Sequence, residues 1–513
     1  MPERLHIEIK GIVQGVGFRP YISRLANDLN LRGWVRNTSN GLELEVEGDR
    51  PFLERFSERL TEEPPVGSQI CQFSSSHIPK ENDSYFSIQK SSSGLAKQAF
   101  ITADVATCSE CLQELFNPRD RRYLYPFISC SSCGPRFSIT ESLPFDRSRT
   151  SMRHFPMCSQ CQEEFEFSDN RRFHAQTIAC SACGPEVSFL DSNWMLSKRG
   201  AEAVHEFATL IRRGKVLALK GIGGFHIVCD ARDSDSVQRL RKLKARGNKS
   251  FALMYPSLAV LEAECFISDL ERKLLESREA PIVLLTRKSD TVSDNVAPNS
   301  PYLGVMLPYT PLHYIILRHL NSPVVATSAN ISGDPICHTE LKLKECLSGM
   351  IDGVLTHNRD IIRAVDDSVV QTVCNAPQVL RLGRGYAPFI TKLENKTPKS
   401  YNVDYISVGA QQKNAIAFLR KDTASLGQHI GDLETLDSVK TFKASVEDYT
   451  KLFSLKAGHF ISDLHPDYSS SVYVRKRNST PVQHHLAHIL SLAAERSILP
   501  PYLGIAWDGS GLG

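Results

Sequence analysis

The chain has 513 residues, of which 41% are hydrophobic and 23% are charged, and its formal net charge is only +3. The length exceeds what one hydrophobic core supports and predicts several domains. The small charge surplus excludes a polycation that binds nucleic acid or anionic lipid through bulk charge alone. No apolar run approaches the roughly 18 residues of a membrane-spanning helix. The 14 cysteines and a charged N-terminus without signal-peptide character predict a reducing, cytoplasmic location.

The first 91 residues carry the strand and helix signals of a small α/β sandwich. Apolar and polar residues alternate at 5–9 and 42–46, which is typical of half-buried strands. Helical spacing is present at 19–29 and 51–60, and a last strand is predicted at 85–89. The predicted order of strand, helix, strand, strand, helix, strand indicates a ferredoxin-like domain.

A glycine-rich loop, Gly11–Phe18, joins the first strand of this domain to its first helix. Glycines let backbone N–H groups turn inward, and a helix N-terminus favours an anion. Arg19 can donate to two oxygens of a phosphate, and Asn37 in the next segment can orient a water molecule. Taken alone, the loop fits a tight turn with a surface arginine equally well.

Eight cysteines form four Cys-x-x-Cys pairs within residues 100–190, in two copies 50 residues apart. The pairs are Cys108 and Cys111, Cys130 and Cys133, Cys158 and Cys161, and Cys180 and Cys183. Four thiolates complete a tetrahedral zinc shell, so the pattern predicts two structural zinc ions. Buried thiols, disulfides and an iron–sulfur cluster are the alternatives, and the spacing leaves the pairing between copies open. The region holds 9 basic and 11 acidic residues, which argues against a nucleic-acid finger.

Short apolar runs and helical stretches alternate across residues 200–388 and predict an α/β domain. Residues 212–249 carry 11 basic and 3 acidic side chains. A solvated helix face is the ordinary reading of such a run. Here a glycine-rich strand end and a Thr-Ser-Ala-Asn turn accompany it, and strand ends collect ligand groups in α/β folds. We therefore predict a site for a nucleoside triphosphate and a small carboxylate-like partner. The predicted nucleotide-binding residues are Lys220, Lys244, Arg246, Ser328, Asn330 and Arg384.

A polar linker at 391–402 precedes a last domain over residues 403–513, which starts like a hairpin. His484 and His488 are four residues apart in a predicted helix at 482–495, and this spacing suits metal ligands. Asp508 can add a carboxylate to them. Histidines on a helix surface are the alternative. An apolar strand is predicted at 502–507.

Several of these segments resemble known families. The loop before Arg19 and the segment around Asn37 resemble both signatures of the acylphosphatase family. This implies that Arg19 binds an acyl phosphate and that Asn37 places the attacking water. The Lys244-x-Arg246 and Ser328-x-Asn330 elements resemble the YrdC-like nucleotide-binding domain. The last domain resembles the N-terminal lobe of a transferase domain of the actin-like ATPase superfamily.

The order of these pieces resembles the HypF family of hydrogenase-maturation carbamoyltransferases. The resemblance implies a multidomain α/β and α+β protein with domains at 1–91, 100–190, 200–388 and 403–513. It implies cleavage of carbamoyl phosphate, followed by adenylation of carbamate with magnesium ATP and release of pyrophosphate. The carbamoyl group then passes to the C-terminal cysteine of a partner maturation protein. Members of this family run some hundreds of residues further, so the chain is expected to end inside its last domain, which leaves the final transfer open.

Three rival functions stay open at this level. The YrdC-like domain also fits a tRNA threonylcarbamoyl-type enzyme. The basic segment 212–249 could bind double-stranded RNA, with the cysteine region as its scaffold. The chain could also be an acylphosphatase with passive additional domains.

Overall fold

The computed structural model describes residues 2–92, 100–393, 403–509 and 511–512. Apart from short pieces of chain, they form two compact units, the first ending at Tyr386 and the second beginning at Ala387. Most of the predicted linker, residues 394–402, lies outside the described residues. Among the described residues, no helix has the length and apolar character needed to cross a membrane.

The N-terminal domain packs two helices on a five-stranded sheet. Its elements are β1 (Pro2–Ile12), α1 (Phe18–Asp28), β2 (Arg32–Thr38), β3 (Gly41–Asp49), α2 (Arg50–Glu62), β4 (Gln69–Ile78) and β5 (Phe86–Ile88). The sheet order is β4-β1-β3-β2-β5, with β2 and β5 parallel and the other pairs antiparallel. The six predicted elements are present in the predicted order, and the structure adds a seventh. One strand, β4, was not predicted from the sequence, because its serine-rich outer part does not alternate.

The cysteine-rich region has little regular structure. Its elements are α3 (Ser109–Phe116), three short 3₁₀ turns (Phe137–Ile139, Arg147–Arg149 and Ser151–His154) and α4 (Ser159–Glu166). Each helix begins directly after the first cysteine of a repeat, Cys108 or Cys158. The two repeats therefore fold alike, as their shared spacing predicts.

A 12-stranded mixed sheet with helices around it forms the central α/β domain. Its strands are β6 (Val187–Asp191), β7 (Leu196–Arg199), β8 (Leu217–Lys220), β9 (Phe225–Asp230), β10 (Ala252–Met254), β11 (Cys265–Phe266), β12 (Ile282–Arg287), β13 (Tyr302–Met306), β14 (Val324–Ser328), β15 (Gly353–His357), β16 (Val369–Val373) and β17 (Ala376–Arg381). Its helices are α5 (Gly200–Arg212), α6 (Ser234–Leu243), α7 (Leu258–Glu264), α8 (Asp269–Leu275), α9 (Pro311–Leu320) and α10 (Glu340–Leu347), with a 3₁₀ turn at Asp294–Val296. The antiparallel neighbours β8, β9 and β14 lie in its middle. They bring the glycine-rich strand end and the Thr-Ser-Ala-Asn turn to adjacent positions.

The second unit is a six-stranded sheet of order β18-β21-β20-β19-β22-β23. Its elements are β18 (Phe389–Lys392), β19 (Asp404–Ser407), β20 (Asn414–Arg420), β21 (Thr423–Gly431), α11 (Leu436–Leu452), β22 (Ala457–Asp463), α12 (Ser469–Val474), β23 (Ser479–Val482) and α13 (His484–Glu495). The hairpin start and the histidine helix are confirmed. The strand predicted at 502–507 is wrong: these residues have no regular secondary structure and belong to no sheet of the described residues, and Trp507 is 99% exposed.

Candidate active sites and metal centres

Arg19 and Asn37 meet beside the glycine-rich loop of the N-terminal domain. Gly15 and Gly17 hold φ values of 77° and 76°, a left-handed conformation that favours glycine. Arg19 follows in the first turn of α1 and is buried. In the amide orientation that satisfies both groups, the Asn37 oxygen accepts from Arg19 Nε at 3.3 Å and Nη2 at 3.2 Å. The sequence-predicted pair is therefore assembled, with its guanidinium on the loop that would hold a phosphate.

The cysteine-rich region covers this site. Arg136 Nε donates to the Gly15 carbonyl at 2.6 Å, and the Phe145 N–H donates to Gln14 Oε1 at 2.9 Å. Asp146 Oδ1 lies 3.3 Å from Arg19 Nη2. Burial lowers the pKa of Arg19, and Asp146 opposes this shift. The cleft beside Arg19 is lined by residues of both domains, so a ligand bound here would contact protein from both.

The eight paired cysteines form two four-cysteine clusters, each within a single repeat. In the first, the Sγ–Sγ distances are 3.7 Å for Cys108–Cys130 and Cys130–Cys133 and 3.6 Å for Cys111–Cys133. In the second, they run from 3.7 to 3.8 Å. Zn–S bonds of about 2.3 Å in a tetrahedron require sulfur atoms about 3.8 Å apart. Both clusters fit structural zinc, and the pairing that the spacing left open is within each repeat.

Arginines of each repeat contact the cysteines of the other. From the second repeat, Arg171 Nη2 lies 2.9 Å from Cys111 Sγ. From the first repeat, Arg121 Nη2 lies 3.6 Å from Cys158 Sγ and 3.5 Å from Cys161 Sγ. These cations offset the surplus negative charge of a zinc ion with four thiolates.

Two glutamates also bind arginines of the opposite repeat. Glu114 accepts from Arg171 Nε at 2.7 Å and contacts Arg172, while Glu164 accepts from Arg121 at 3.0 Å. Burial would raise the pKa of Glu114, but the two arginines outweigh it and lower that pKa to about 2. The repeats are therefore joined by charged pairs that persist across the physiological pH range.

Four of the predicted nucleotide-binding residues are assembled in the central domain. Lys244 Nζ donates to the carbonyls of Ser328 and Asn330 at 2.5 and 2.8 Å and to Asn330 Oδ1 at 3.0 Å. Arg246 lies beside them, with Nη1 3.4 Å from Thr327 Oγ1. Burial, with Arg246 nearby, lowers the pKa of Lys244 to about 7. Burial also lowers the pKa of Arg246 to about 10. Two cations held in a poorly solvated turn suit an anionic ligand that would restore their charge.

Lys220 and Arg384 have other partners. Lys220 Nζ donates to Glu340 Oε1 at 2.8 Å and to the His357 carbonyl at 3.0 Å. It lines a cleft together with Arg359 and with residues of the cysteine-rich region. Arg384 is fully buried, pairs with Asp367 at 2.7 Å and donates to the Glu279 and Ala280 carbonyls. These contacts join separate segments of the central domain through Arg384. Its predicted contact with a nucleotide stays a prediction.

The predicted histidine site in the second unit is assembled around Asp508. His484 Nε2 lies 3.2 Å and His488 Nε2 lies 3.8 Å from Asp508 Oδ2, and the three ligand atoms lie close enough to share one ion. The other ring nitrogen of His484 contacts Asp463 Oδ2 at 2.6 Å. A carboxylate on the second nitrogen fixes the ring for metal binding. Sequence reasoning missed Asp463, although its place at the end of an apolar strand was a usable signal.

Similarity to known proteins identifies the family of this chain. The chain is 44% identical to carbamoyltransferase HypF of Synechocystis sp., over 100% of its own length and 67% of that protein. It is 38% identical to carbamoyltransferase HypF of Rhizobium leguminosarum, over 99% of the chain and 66% of the relative. The chain belongs to the HypF family of carbamoyltransferases. It spans about two thirds of the length of these relatives.

A crystal structure of full-length HypF in the phosphate- and nucleotide-bound form matches the fold with a TM-score of 0.95 at 38% identity, over 100% of this chain and 67% of that one. Family models match an acylphosphatase domain at 5–88, HypF fingers at 107–140 and 157–190, a Sua5/YciO/YrdC domain at 209–383 and a HypF Kae1-like domain at 401–495. These matches confirm the predicted fold class.

Proposed function

We propose that this HypF chain carries out two linked reactions, cleavage of carbamoyl phosphate and activation of the carbamate with ATP. In the first reaction, water attacks and the bond between the carbamoyl group and phosphate breaks. Carbamate, phosphate and one proton are released. Arg19 and the loop N–H groups would bind the phosphate, and Asn37 would hold the water. The juxtaposition of Arg19 and Asn37 in a covered cavity supports this step.

In the second reaction, a carbamate oxygen attacks the α-phosphorus of magnesium ATP, and pyrophosphate leaves. Lys244 and Arg246 would offset the charge that otherwise repels the incoming carboxylate. Ser328 and Asn330 would position the nucleotide. The relative crystallised with phosphate and nucleotide supports sites for both kinds of ligand in this family.

The carbamoyl group would then pass to the C-terminal cysteine of a partner maturation protein. The second unit would take part through a metal ion held by His484, His488 and Asp508. Since this chain spans about two thirds of its relatives, the transfer belongs to the protein of full family length. The residues proposed for cleavage and adenylation all belong to the first unit.

The deciding experiment is ATP–pyrophosphate exchange with and without carbamoyl phosphate. We expect exchange only when carbamoyl phosphate is present. Arg19→Ala and Lys244→Ala should each abolish it, whereas the matched variants of exposed neighbours, Arg24→Ala and Lys242→Ala, should retain it. Exchange that requires threonine and bicarbonate instead would assign the chain to tRNA threonylcarbamoyl-type chemistry. Acyl phosphate hydrolysis without any exchange would leave only the acylphosphatase reading.

A further inference from the structure

The phosphate-binding arginine of the N-terminal domain is paired with a carboxylate from another domain. Asp146 Oδ1 lies 3.3 Å from Arg19 Nη2, and the two residues are far apart in the sequence. A carboxylate accepts hydrogen bonds but donates none. Beside a phosphate it adds like-charge repulsion. For the phosphate alone, this residue is therefore the wrong kind of neighbour.

The backbone on both sides of Asp146 is held firmly in place. Before it, the Phe145 N–H donates to Gln14 Oε1 at 2.9 Å. After it, Arg147 donates from its N–H to Gln176 Oε1 at 2.8 Å and from Nη1 to the Ile178 carbonyl at 2.7 Å. Asp146 is thus presented to Arg19 by a braced segment.

Three side-chain oxygens that line the cavity already face donors of the protein. Gln14 Oε1 is taken by the Phe145 N–H, and Gln176 Oε1 by the Arg147 N–H. The Asn37 oxygen faces the Arg19 guanidinium. Asp146 pairs with Arg19 through one oxygen, and a carboxylate can accept several hydrogen bonds at once. It therefore keeps the capacity to accept a further hydrogen bond from a bound ligand.

We infer that Asp146 is a specificity-determining residue that accepts a hydrogen bond from the amino group of carbamoyl phosphate. This inference rests on the proposed cleavage reaction. Carbamoyl and acetyl phosphate share the phosphate and the carbonyl, but only the carbamoyl group carries N–H donors. A phosphate bound by Arg19 would lie next to Asp146, because the phosphate and the Asp146 carboxylate would contact the same guanidinium. The carboxylate would thus favour the substrate with an amine and disfavour acyl phosphates that lack one.

The test is the ratio of kcat/KM for carbamoyl phosphate to kcat/KM for acetyl phosphate, measured by phosphate release. A hydrogen bond to a charged group has an energy that corresponds to a factor of roughly 10 to 100. We expect Asp146→Ala to lower the ratio by about that factor. Asp146→Asn, which keeps one oxygen acceptor, should give an intermediate ratio. The control is Asp169→Ala, an exposed aspartate of the same region.

A counter-ion role without substrate recognition predicts a different result. In that case Asp146→Ala changes both substrates equally, the ratio stays constant, and the inference is wrong. Zinc content and thermal unfolding midpoint establish that each variant is folded. Failure of the proposed function is recognised separately, because the unmodified protein would then not cleave carbamoyl phosphate. In an active protein, an unchanged ratio overturns the role of Asp146 alone.

Discussion

At the scale of single residues, each of the two predicted sites of the first unit contains a buried cationic side chain, and the surroundings of these two side chains differ. Arg19 keeps partners on three sides, namely Asn37, Ser91 and Asp146. Lys244 is surrounded by carbonyl and amide oxygens, yet burial lowers its pKa to about 7. Near neutral pH the Lys244 amine is therefore close to the midpoint of its protonation. A bound anion is expected to shift this equilibrium towards the ammonium form.

Nucleotide binding should therefore take up a proton. A triphosphate stabilises the charged ammonium and raises the Lys244 pKa above about 7, so uptake is small at pH 6 and approaches one proton at pH 8. Titration calorimetry with magnesium ATP in buffers of different ionisation enthalpy measures it. Lys244→Met should lose the uptake, while Lys242→Ala should keep it. The same uptake in Lys244→Met would show that another group is responsible.

At the scale of elements, the cysteine-rich region is two similar folding units that exchange charged partners. Helix α3 carries Glu114, which binds arginines of the second repeat, and α4 carries Glu164, which binds arginines of the first. Arg122 and Arg172 are almost fully buried in these contacts. Since a buried guanidinium without an acceptor is costly, each repeat depends on the other for its own arginines.

Loss of an arginine should therefore loosen the metal of the opposite repeat. We expect Arg171→Ala to speed chelator-driven zinc release from the Cys108 cluster by about tenfold, the scale of one charge-assisted hydrogen bond. Arg121→Ala should act on the Cys158 cluster. Cysteine alkylation with mass spectrometry identifies the emptied cluster, and exposed Arg119→Ala is the control. Faster zinc release from the repeat that carries the substitution would contradict this role of the contacts between the repeats.

The sequence predicted local features well and long-range ones poorly. Alternation identified β1 and β3, the loop motif identified Arg19, and a second short segment identified Asn37, because each of these signals is contained in a short stretch of sequence. The role of Arg136 left no local signal, since its contact with Gly15 spans 121 residues. The same holds for Asp146. Strand β4 was missed because its pairing with β1, more than its composition, makes it a strand.

At the scale of the first unit, hydrogen bonds of one arginine connect the first cysteine cluster to the proposed phosphate site. Arg136 donates to Gly15 in the loop and also to the carbonyls of Ser131, Cys133 and Pro135 around the first cluster. Its side chain is almost completely buried. The glycine-rich loop is therefore anchored by a cysteine knuckle of another domain.

Removing the first zinc should accordingly impair acyl phosphate cleavage. We expect Cys133→Ser to raise the KM for carbamoyl phosphate about tenfold or more, because Gly15 loses an anchor of roughly one hydrogen bond to a charged group. Arg136→Ala should raise the KM similarly while the first cysteine cluster keeps its zinc. Steady-state kinetics together with metal analysis separates the two variants. Full activity in a folded, zinc-depleted protein would refute this connection.

The crossed arginines also bear on how such a duplicated region can change over time. Deleting either copy would remove the arginines that contact the thiolates of the remaining copy. It would also remove the glutamate that accepts from the arginines of the remaining copy. Neither half can therefore be replaced alone unless its partner repeat changes these contact residues as well.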